Sequence, residues 1–304
     1  MAARDPTLFL PDDSPAADVL AGRPSVAFWS DVWRRFRTNV PAMIGIAIVG
    51  LFALLAIFAP MLSPYDYEHV DLMVTFQRPN AAHWLGTDAL GRDLWSGIWE
   101  GARVSLTVGL IAALGQMLIG LAVGSYSGLR GGRIDMVIMR FVDIMIAIPF
   151  LIWMSLIVLV LRPGIVSIIL AFALTQWTEV ARLVRGEVLR LKETEFVIAS
   201  QTMGASYMRL LARHFFPNIL PLVIVTVTFQ VTWAIFGEAF LSYIGLGIQP
   251  PQTSWGKLIA GGIAEMRENP YLLIFPSIVI SLTMLSLQLI GDGLRDATDP
   301  KLRR

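Results

Sequence analysis

Long, uninterrupted apolar stretches dominate the pattern of hydrophobic and polar positions along this chain. A helix needs about 20 apolar residues to cross a bilayer. Six stretches approach or exceed that length: 40–62, 104–128, 136–161, 163–181, 215–246 and 270–291. Strands of membrane barrels are about 10 residues long and alternate between apolar and polar side chains, unlike these stretches. The sequence therefore predicts an all-α polytopic membrane protein with six transmembrane helices.

Composition supports a membrane location and excludes several kinds of chemistry. Of the 304 residues, 55% are hydrophobic and only 15% are charged, whereas soluble domains carry about 25% charged residues. A chain with so few charges cannot cover a water-facing surface. The absence of cysteine excludes disulfides, thiolate metal sites and cysteine nucleophiles.

The distribution of lysine and arginine predicts the orientation of the spans. If the N-terminus is cytoplasmic, 18 of the 24 lysines and arginines fall in cytoplasmic segments and 6 in external loops. Membrane proteins carry an excess of lysine and arginine in their cytoplasmic loops. The first apolar stretch follows Arg34, Arg35 and Arg37 and is too long for the core of a cleaved signal peptide, so we expect an uncleaved anchor. The sequence therefore predicts a multi-pass protein of the inner (cytoplasmic) membrane with both termini in the cytoplasm.

The chain divides into four segments. They are a cytoplasmic tail (1–38), the first span with a long external loop (39–101), the other five spans (102–291) and a cytoplasmic C-terminal tail (292–304). Within the first tail, Phe28, Val32, Trp33 and Phe36 recur at helical spacing opposite arginines. This pattern predicts an interfacial amphipathic helix that leads into the first span.

The longest cytoplasmic connection, residues 185–216, is the most polar part of the chain's interior. Apolar residues recur at helical spacing on both sides of Gly204, which predicts two short helices with a glycine between them. Pro217 falls at the start of the fifth span, where its missing N–H costs little. Such a hairpin suits a docking site for another protein. The alternative is a pair of interfacial helices that lie on lipid.

This connection resembles a motif of importer permeases of the ATP-binding-cassette (ABC) class, E-A-A-x3-G-x9-I-x-L-P. Ala199, Gly204 and Pro217 match the motif, with the correct spacing from Gly204 to Pro217. The positions that depart from it are Ile198, Ser200, His214 and Phe216, which replace the glutamate, the second alanine, the isoleucine and the leucine.

Three further segments resemble the signature stretches of one branch, the C-type inner-membrane subunits of dipeptide, oligopeptide and nickel importers. They are HWLGTDALGRDLWSGIWEGARVSL (83–106), LSYIGLGIQPPQTSWGKLI (241–259) and GDGLRDATDPKLR (291–303). The resemblance extends from about Trp33 to the C-terminus. It implies the type I ABC importer permease fold, with residues 102–291 as the transmembrane permease core.

The resemblance implies a permease subunit that forms half of a translocation pathway for peptides or a similar small polar solute. Nickel complexes, opines, glutathione and sugars are alternative solutes within the family. The implied partners are a homologous B-type permease, two ABC ATPase subunits, an extracytoplasmic substrate-binding protein and the lipid bilayer, with no nucleic acid.

In this family the cytoplasmic hairpin inserts into a groove of the ATPase and couples it to the permease. The residues that would do so here are Glu195, Ala199, Ser200, Met203, Gly204, Ala205, Arg209, Arg213 and Pro217. Gly204 would allow a sharp bend between the two helices. Arg209 and Arg213 would share a helical face and pair with acidic groups of the ATPase, or alternatively contact lipid headgroups.

The chain encodes no energy source of its own. It lacks the GxxxxGK[ST] motif, and its single Gly-Lys pair, Gly256 and Lys257, is followed by Leu258. We therefore expect no catalytic residue, no metal site and no cofactor bound by this chain, with ATP and magnesium used by the partner ATPase subunits.

Polar residues inside predicted spans are candidates for the translocation path, because polar groups in a membrane usually face a cavity or a partner. The candidates are Gln116, Thr175, Gln176, Gln230, Thr232 and Glu238. For each of them, a hydrogen bond between helices is the alternative role. Near the cytoplasmic ends, we expect Asp143 to pair with Arg140, Glu179 with Arg182, and Asp292 with Arg295.

The external loops offer a candidate docking surface for the binding protein. Its residues would be Asp88, Arg92, Asp93, Gln252 and Trp255, and the alternative is that they only build the loops. We further expect Thr87 and Asp88 to cap a short helix and Arg92, Asp93 and Arg103 to form a set of ion pairs.

Two other classes of function fit the sequence poorly. An ATP-independent secondary transporter would need ion-coupling groups at the midplane of the membrane, and no Asp or Glu lies at the centre of a predicted span. An intramembrane hydrolase would need a nucleophile or metal motif at membrane depth, and GxSxG, GxGD and HExxH are absent.

Overall fold

The computed structural model describes residues 28–299, which are helical apart from turns, loops and one isolated bridge between Thr87 and Asp93. The helices are α1 (Phe28–Thr38), α2 (Val40–Leu62), α3 (Leu94–Arg130), α4 (Gly132–Ala147), α5 (Phe150–Leu161), α6 (Ile165–Thr175), α7 (Trp177–Lys192), α8 (Glu195–Thr202), α9 (Tyr207–Leu210), α10 (Phe216–Tyr243), α11 (Trp255–Ala264) and α12 (Tyr271–Thr298). A π-helical turn, Leu211–Phe215, joins α9 to α10. The expectations for residues 1–27 and 300–304 fall outside the described residues.

Five helical segments of the described chain are long and apolar enough to cross a membrane. They are Val40–Leu62, Leu94–Arg130, Ile165–Lys192, Met208–Tyr243 and Tyr271–Thr298. The pair α4 and α5 passes the same test jointly, although these helices are bent by 88° where they meet. Counting this pair as one broken span gives the six predicted membrane-crossing units.

The bend between α4 and α5 lies at Pro149. Proline lacks the N–H that a continuing helix would use, and its ring disfavours helical backbone in the residue before it. Ile148 accordingly adopts extended backbone, with φ −84° and ψ 124°. The Trp153 indole donates a hydrogen bond back to the Met145 carbonyl at 3.2 Å, so the two helices remain connected across the break.

Glycines at every fourth position bring α3 and α7 together. A side-chain carbon at Gly120 would lie 2.6 Å from the Cβ of Val180, so only glycine permits this approach. The contact continues to the end of α7, where the Lys192 ammonium donates to the Gly128 carbonyl at 3.2 Å. The stretch after Arg185 is helical, as its periodicity predicted, but residues 185–192 continue α7 and pack against α3 instead of starting a separate short helix.

Helix α3 begins at Leu94, well before the start that hydropathy predicted. The Asp93 carboxylate caps the helix by accepting from the Ser96 N–H at 2.9 Å. The first turns of α3 then pack into a buried external cluster that includes Tyr67, Trp99, Trp255 and Tyr271. This cluster holds the external loops against the ends of the spans.

The amphipathic helix predicted before the first span is present as α1. Val32 and Phe36 are buried against Leu294 and Ala297 at the end of α12, while Trp33 is 55% exposed. One face of α1 therefore packs on the bundle, and a second apolar face is left for the lipid interface.

Candidate functional site

The hairpin predicted around Gly204 is present, with this residue at the bend. Gly204 has φ +79°, in the left-handed region that favours glycine. Helix α8 forms the first arm and α9 forms the second. The second arm continues through the π-helical turn into α10, so it is a direct extension of the fifth span.

The two arms of the hairpin are tied together by side chains. The Ser200 hydroxyl lies 3.0 Å from the His214 Nε2, and the Phe196 ring lies 5.7 Å from the His214 ring. Val197 and Phe215 are buried in the same cluster. The two arms of the hairpin therefore pack against each other through these side chains.

Most of the residues predicted to couple to an ATPase are accessible. Glu195, Ala199, Met203, Gly204, Arg209, Arg213 and Pro217 are exposed, and Ser200 and Ala205 are half-buried. Met203 is 80% exposed at the tip. Within residues 28–299 neither arginine forms an ion pair. The tip thus presents an apolar side chain beside two available cations.

A cavity of about 470 Å³ lies between α5, α6, α7 and α10. Gln176, Glu179 and Gln230 supply its polar groups, and its aromatic wall is formed by Phe150, Phe172, Trp233, Phe236 and Phe240. Two of the six predicted lining residues, Gln176 and Gln230, are thereby brought together. Glu179 and the aromatic wall were missed, although Glu179 lies three positions after Gln176 and therefore on the same helical face.

The other predicted lining residues lie outside this cavity. Thr175 is buried and donates to the Ala171 carbonyl at 2.7 Å. Gln116 and Thr232 are also buried, and their side-chain polar atoms have no hydrogen-bond partner within the described residues. These three residues face the packed interior of the subunit.

Glu238 is fully buried in a network that links three parts of the fold. Its carboxyl group accepts from Ser105 of α3 at 3.1 Å, from Ser242 of α10 at 2.8 Å and from Ser254 at 2.6 Å. Ser254 also caps α11 by accepting from the Lys257 N–H at 3.1 Å. The prediction of a path-lining role for Glu238 is wrong for this structure, because the carboxyl group joins helices instead of facing the cavity.

The three charge pairs expected near the cytoplasmic ends, including that of Asp292 with Arg295, do not form among the described residues. Arg182 pairs with Asp143 at 2.5 Å, which contradicts the pairing of Asp143 with Arg140. Glu179 accepts instead from the Gln230 amide at 2.8 Å. The predicted pair of Glu179 with Arg182 was therefore wrong, because the facing helix α4 supplies a different acid.

In the external loop Asp93 has a structural role. Its second carboxylate oxygen lies 3.0 Å from the Nδ1 of His83, and both side chains are almost completely buried. Asp88 is half-buried and accepts from the Leu90 and Arg92 N–H groups at 2.8 and 2.9 Å. The expectation that Thr87 and Asp88 cap a helix was wrong, since Asp93 caps α3 and Asp88 closes a turn.

The predicted set of ion pairs among Arg92, Asp93 and Arg103 does not form. Arg92 lies over the Tyr67 ring at 5.2 Å. Arg103 pairs with Glu100 at 3.1 Å and also donates to backbone carbonyls of α2. Arg92 therefore stacks on a residue of the external loop, and Arg103 joins α3 to α2.

Of the remaining external candidates, only Gln252 is exposed. Trp255 is fully buried and donates to the Ile98 carbonyl at 3.0 Å, so it cannot form part of a docking surface. Beside it, burial lowers the pKa of the Lys257 ammonium, and the positive charge of Arg92 lowers it further. Exposed apolar residues on these loops include Leu72, Met73 and Trp84.

Comparison with known sequences gives consistent matches. Residues 120–304 match the family described as binding-protein-dependent transport system inner membrane component, and residues 27–80 match the N-terminal TM domain of oligopeptide transport permease C. The chain is 48% identical to the oligopeptide transport system permease protein OppC of Bacillus subtilis, over 92% of each chain. It is 43% identical to the dipeptide transport system permease protein DppC of the same organism, over 93% of this chain and 88% of that one.

A more distant relative and a solved structure extend the comparison. The glutathione transport system permease protein GsiD of Pectobacterium atrosepticum is 38% identical, over 90% of this chain and 92% of that one. A chain of the methionine ABC transporter MetNI, in an inward-facing conformation, matches with a TM-score of 0.54 at 20% identity. It covers 68% of this chain and 96% of that chain, and at this identity it shows the fold alone.

Proposed function

The chain belongs to the family of binding-protein-dependent transport system inner membrane components, and from this premise we propose that it is the C-type subunit of an importer for di- or oligopeptides. As a family member it is a multi-pass permease subunit of an ABC importer and not an enzyme. The observation that carries the choice of peptides is the 48% identity to an oligopeptide permease over 92% of both chains.

Energy for transport would reach this chain through the hairpin at Gly204. Its tip presents Met203 together with Arg209 and Arg213, which suit a groove with an apolar floor and an acidic rim. Because α9 continues into α10, a force on the tip would move the fifth span, which carries part of the cavity wall. This continuity supports a coupling role more than a role as a lipid-bound helix pair.

The complete importer would contain this chain, a homologous B-type permease, two ABC ATPases and an extracytoplasmic binding protein. ATP and magnesium would act on the ATPases, with no cofactor on this chain. The cavity lined by Gln176, Glu179 and Gln230 would form this subunit's part of the path. Both termini and the hairpin would be cytoplasmic, and Trp84 would face outward.

Uptake of a radiolabelled tripeptide tests the proposed function. Cells that depend on this permease should lose uptake when ATP is depleted and retain it when an uncoupler collapses the proton gradient. The ATPases should copurify with the permease. Uptake that follows the proton gradient and not ATP would refute the proposal in favour of a secondary transporter. Uptake of glutathione or nickel but not of peptides would refute the choice of solute alone.

The absence of cysteine permits a direct test of orientation. Single-cysteine variants M203C and W84C place a thiol at two well-exposed positions, at 80% and 59% exposure in the parent residues. An impermeant maleimide should label W84C in intact cells and M203C only after permeabilisation. Labelling of M203C from outside would contradict both the orientation and the coupling role.

A further inference from the structure

Glu179 occupies an unusual position for a carboxylate in a membrane protein. It is exposed toward the cavity between α7 and α10, and only one of its two oxygens is used, by the Gln230 amide at 2.8 Å. No basic side chain among residues 28–299 pairs with it. The nearest candidate along the chain, Arg182, is already paired with Asp143 at 2.5 Å.

The surroundings of this carboxylate select for positive charge. A carboxylate accepts hydrogen bonds and forms its strongest ones with ammonium and guanidinium groups. Aromatic rings such as those of Trp233, Phe236 and Phe240 in the same cavity also attract cations through their π-faces. An anionic group would be repelled by Glu179. The site therefore has one free acceptor oxygen, one orienting amide and an aromatic wall, which together suit a cation on an apolar stem.

The size of the cavity fits part of a solute. Its volume of about 470 Å³ lies within the range of about 300–1,000 Å³ that is typical of small-molecule sites. A mostly apolar wall with a few polar groups is also typical of such sites, where the polar groups fix orientation. One end of a short peptide would occupy this volume, and the rest would extend toward the partner permease.

We propose that Glu179 is a specificity-determining residue that binds a cationic group of the solute, namely the free α-ammonium group of a peptide, during its passage. The Gln230 amide holds the carboxylate in place, and Gln176 adds a neutral polar contact. This inference rests on the proposed function, since it assumes that the cavity belongs to the translocation path.

The first test compares charge-removing and charge-keeping variants in the reconstituted importer. Proteoliposomes containing the complete complex and its loaded binding protein are assayed for tripeptide uptake and ATP hydrolysis in parallel. We expect E179Q to lower the peptide transported per ATP by about tenfold, the effect of losing one charge-assisted hydrogen bond. E179D should retain most of the transport, because it keeps the charge.

Glu187 provides the matched control. It lies on the same helix, outside the cavity, and pairs with Arg190 at 2.7 Å. E187Q removes the same charge and should leave the peptide transported per ATP unchanged. If E179Q matches E187Q, or if uptake and ATP hydrolysis fall together so that their ratio is constant, the proposal is overturned. Failure of E179Q to assemble would show a purely structural carboxylate and would also overturn it.

A second test restores charge after assembly. Because the chain has no cysteine, the thiol of E179C can be modified with methanethiosulfonate reagents that carry a sulfonate, a methyl or a trimethylammonium group. The importer with the unsubstituted chain, treated identically, reports any effect on other subunits. We expect peptide transported per ATP to fall in the order sulfonate, methyl, trimethylammonium. A flat or reversed order would overturn the proposal.

The outcomes separate the two levels of inference. An importer with the unsubstituted chain that moves no peptide refutes the proposed function. An importer that moves peptide regardless of the charge at position 179 refutes only the role of Glu179.

Discussion

The serine that joins Glu238 to the external helix gives the most sharply defined stability prediction. Ser254 donates to the Glu238 carboxyl group at 2.6 Å and caps α11 through the Lys257 N–H at 3.1 Å. Loss of a helix cap costs about 1 kcal/mol, and the net loss of a buried hydrogen bond costs about 1 kcal/mol. S254A should therefore lower the free energy of unfolding by about 2 kcal/mol, the sum of these two contributions.

Two other serine-to-alanine variants test this reasoning. Ser242 donates to the same carboxyl oxygen at 2.8 Å but caps no helix, so S242A should cost about 1 kcal/mol. Ser281 is exposed on α12, and S281A should change stability by less than about 0.5 kcal/mol.

The assay follows tryptophan fluorescence of the purified protein in mixed micelles during titration with a denaturing detergent. Its nine tryptophans, several of them in the external cluster next to Ser254, report unfolding. A cost for S254A no larger than that for S242A would refute the argument that the cap and the buried bond act together. A cost equal to that of S281A would refute the network as a source of stability.

Three further variants test the helix contact, the hairpin bend and the external cap. G124A should destabilise the protein by about 1–3 kcal/mol in the same titration, because the added carbon meets the backbone of α7. G50A is the control and should not destabilise the protein, because a carbon added at Gly50 has no neighbouring atom within 4 Å. G204A should reduce ATP-dependent peptide uptake severalfold at normal membrane abundance, because alanine disfavours φ +79° by about 1–2 kcal/mol. The control is G245A, at φ +84° on a different turn. An equal loss of uptake in G245A would contradict a specific role of the hairpin. D93A should lower the free energy of unfolding by about 2 kcal/mol or more, because it removes the cap of α3 and leaves His83 without its partner. Unchanged stability would refute the structural role of Asp93.

The hairpin shows what local sequence can predict about the site. Its bend required a residue that tolerates positive φ, and Gly204 was the only glycine in that connection beyond α7. The residues flanking it had helical periodicity. What local periodicity could not predict was that the second arm would join α10 without a break. That continuity depends on Phe215 and Leu210 being buried by neighbouring helices.

The polar residues of the spans show the opposite case. Hydropathy identified Gln176, Gln230 and Glu238 as costly in a membrane, but it could not distinguish a cavity wall from a buried network. Glu238 contacts Ser242 on its own helix together with Ser105 and Ser254 from other parts of the fold, and Glu179 contacts Gln230 on a facing helix. Ser242 lies one helical turn from Glu238, but Ser105, Ser254 and Gln230 are distant in sequence from the carboxyl groups they contact, so no spacing rule connects them.

The amino-acid sequence alone determined that the chain crosses the membrane, about where each span lies, and where the hairpin bends. Those properties follow from the transfer free energy of each side chain and from the backbone preferences of single residues, which act locally. Only the tertiary structure decided which polar groups pair, how far α7 extends, and that Trp255 is an anchor and not a surface residue. These outcomes depend on which helix faces meet, and glycines such as Gly120 set that contact through space and not along the chain.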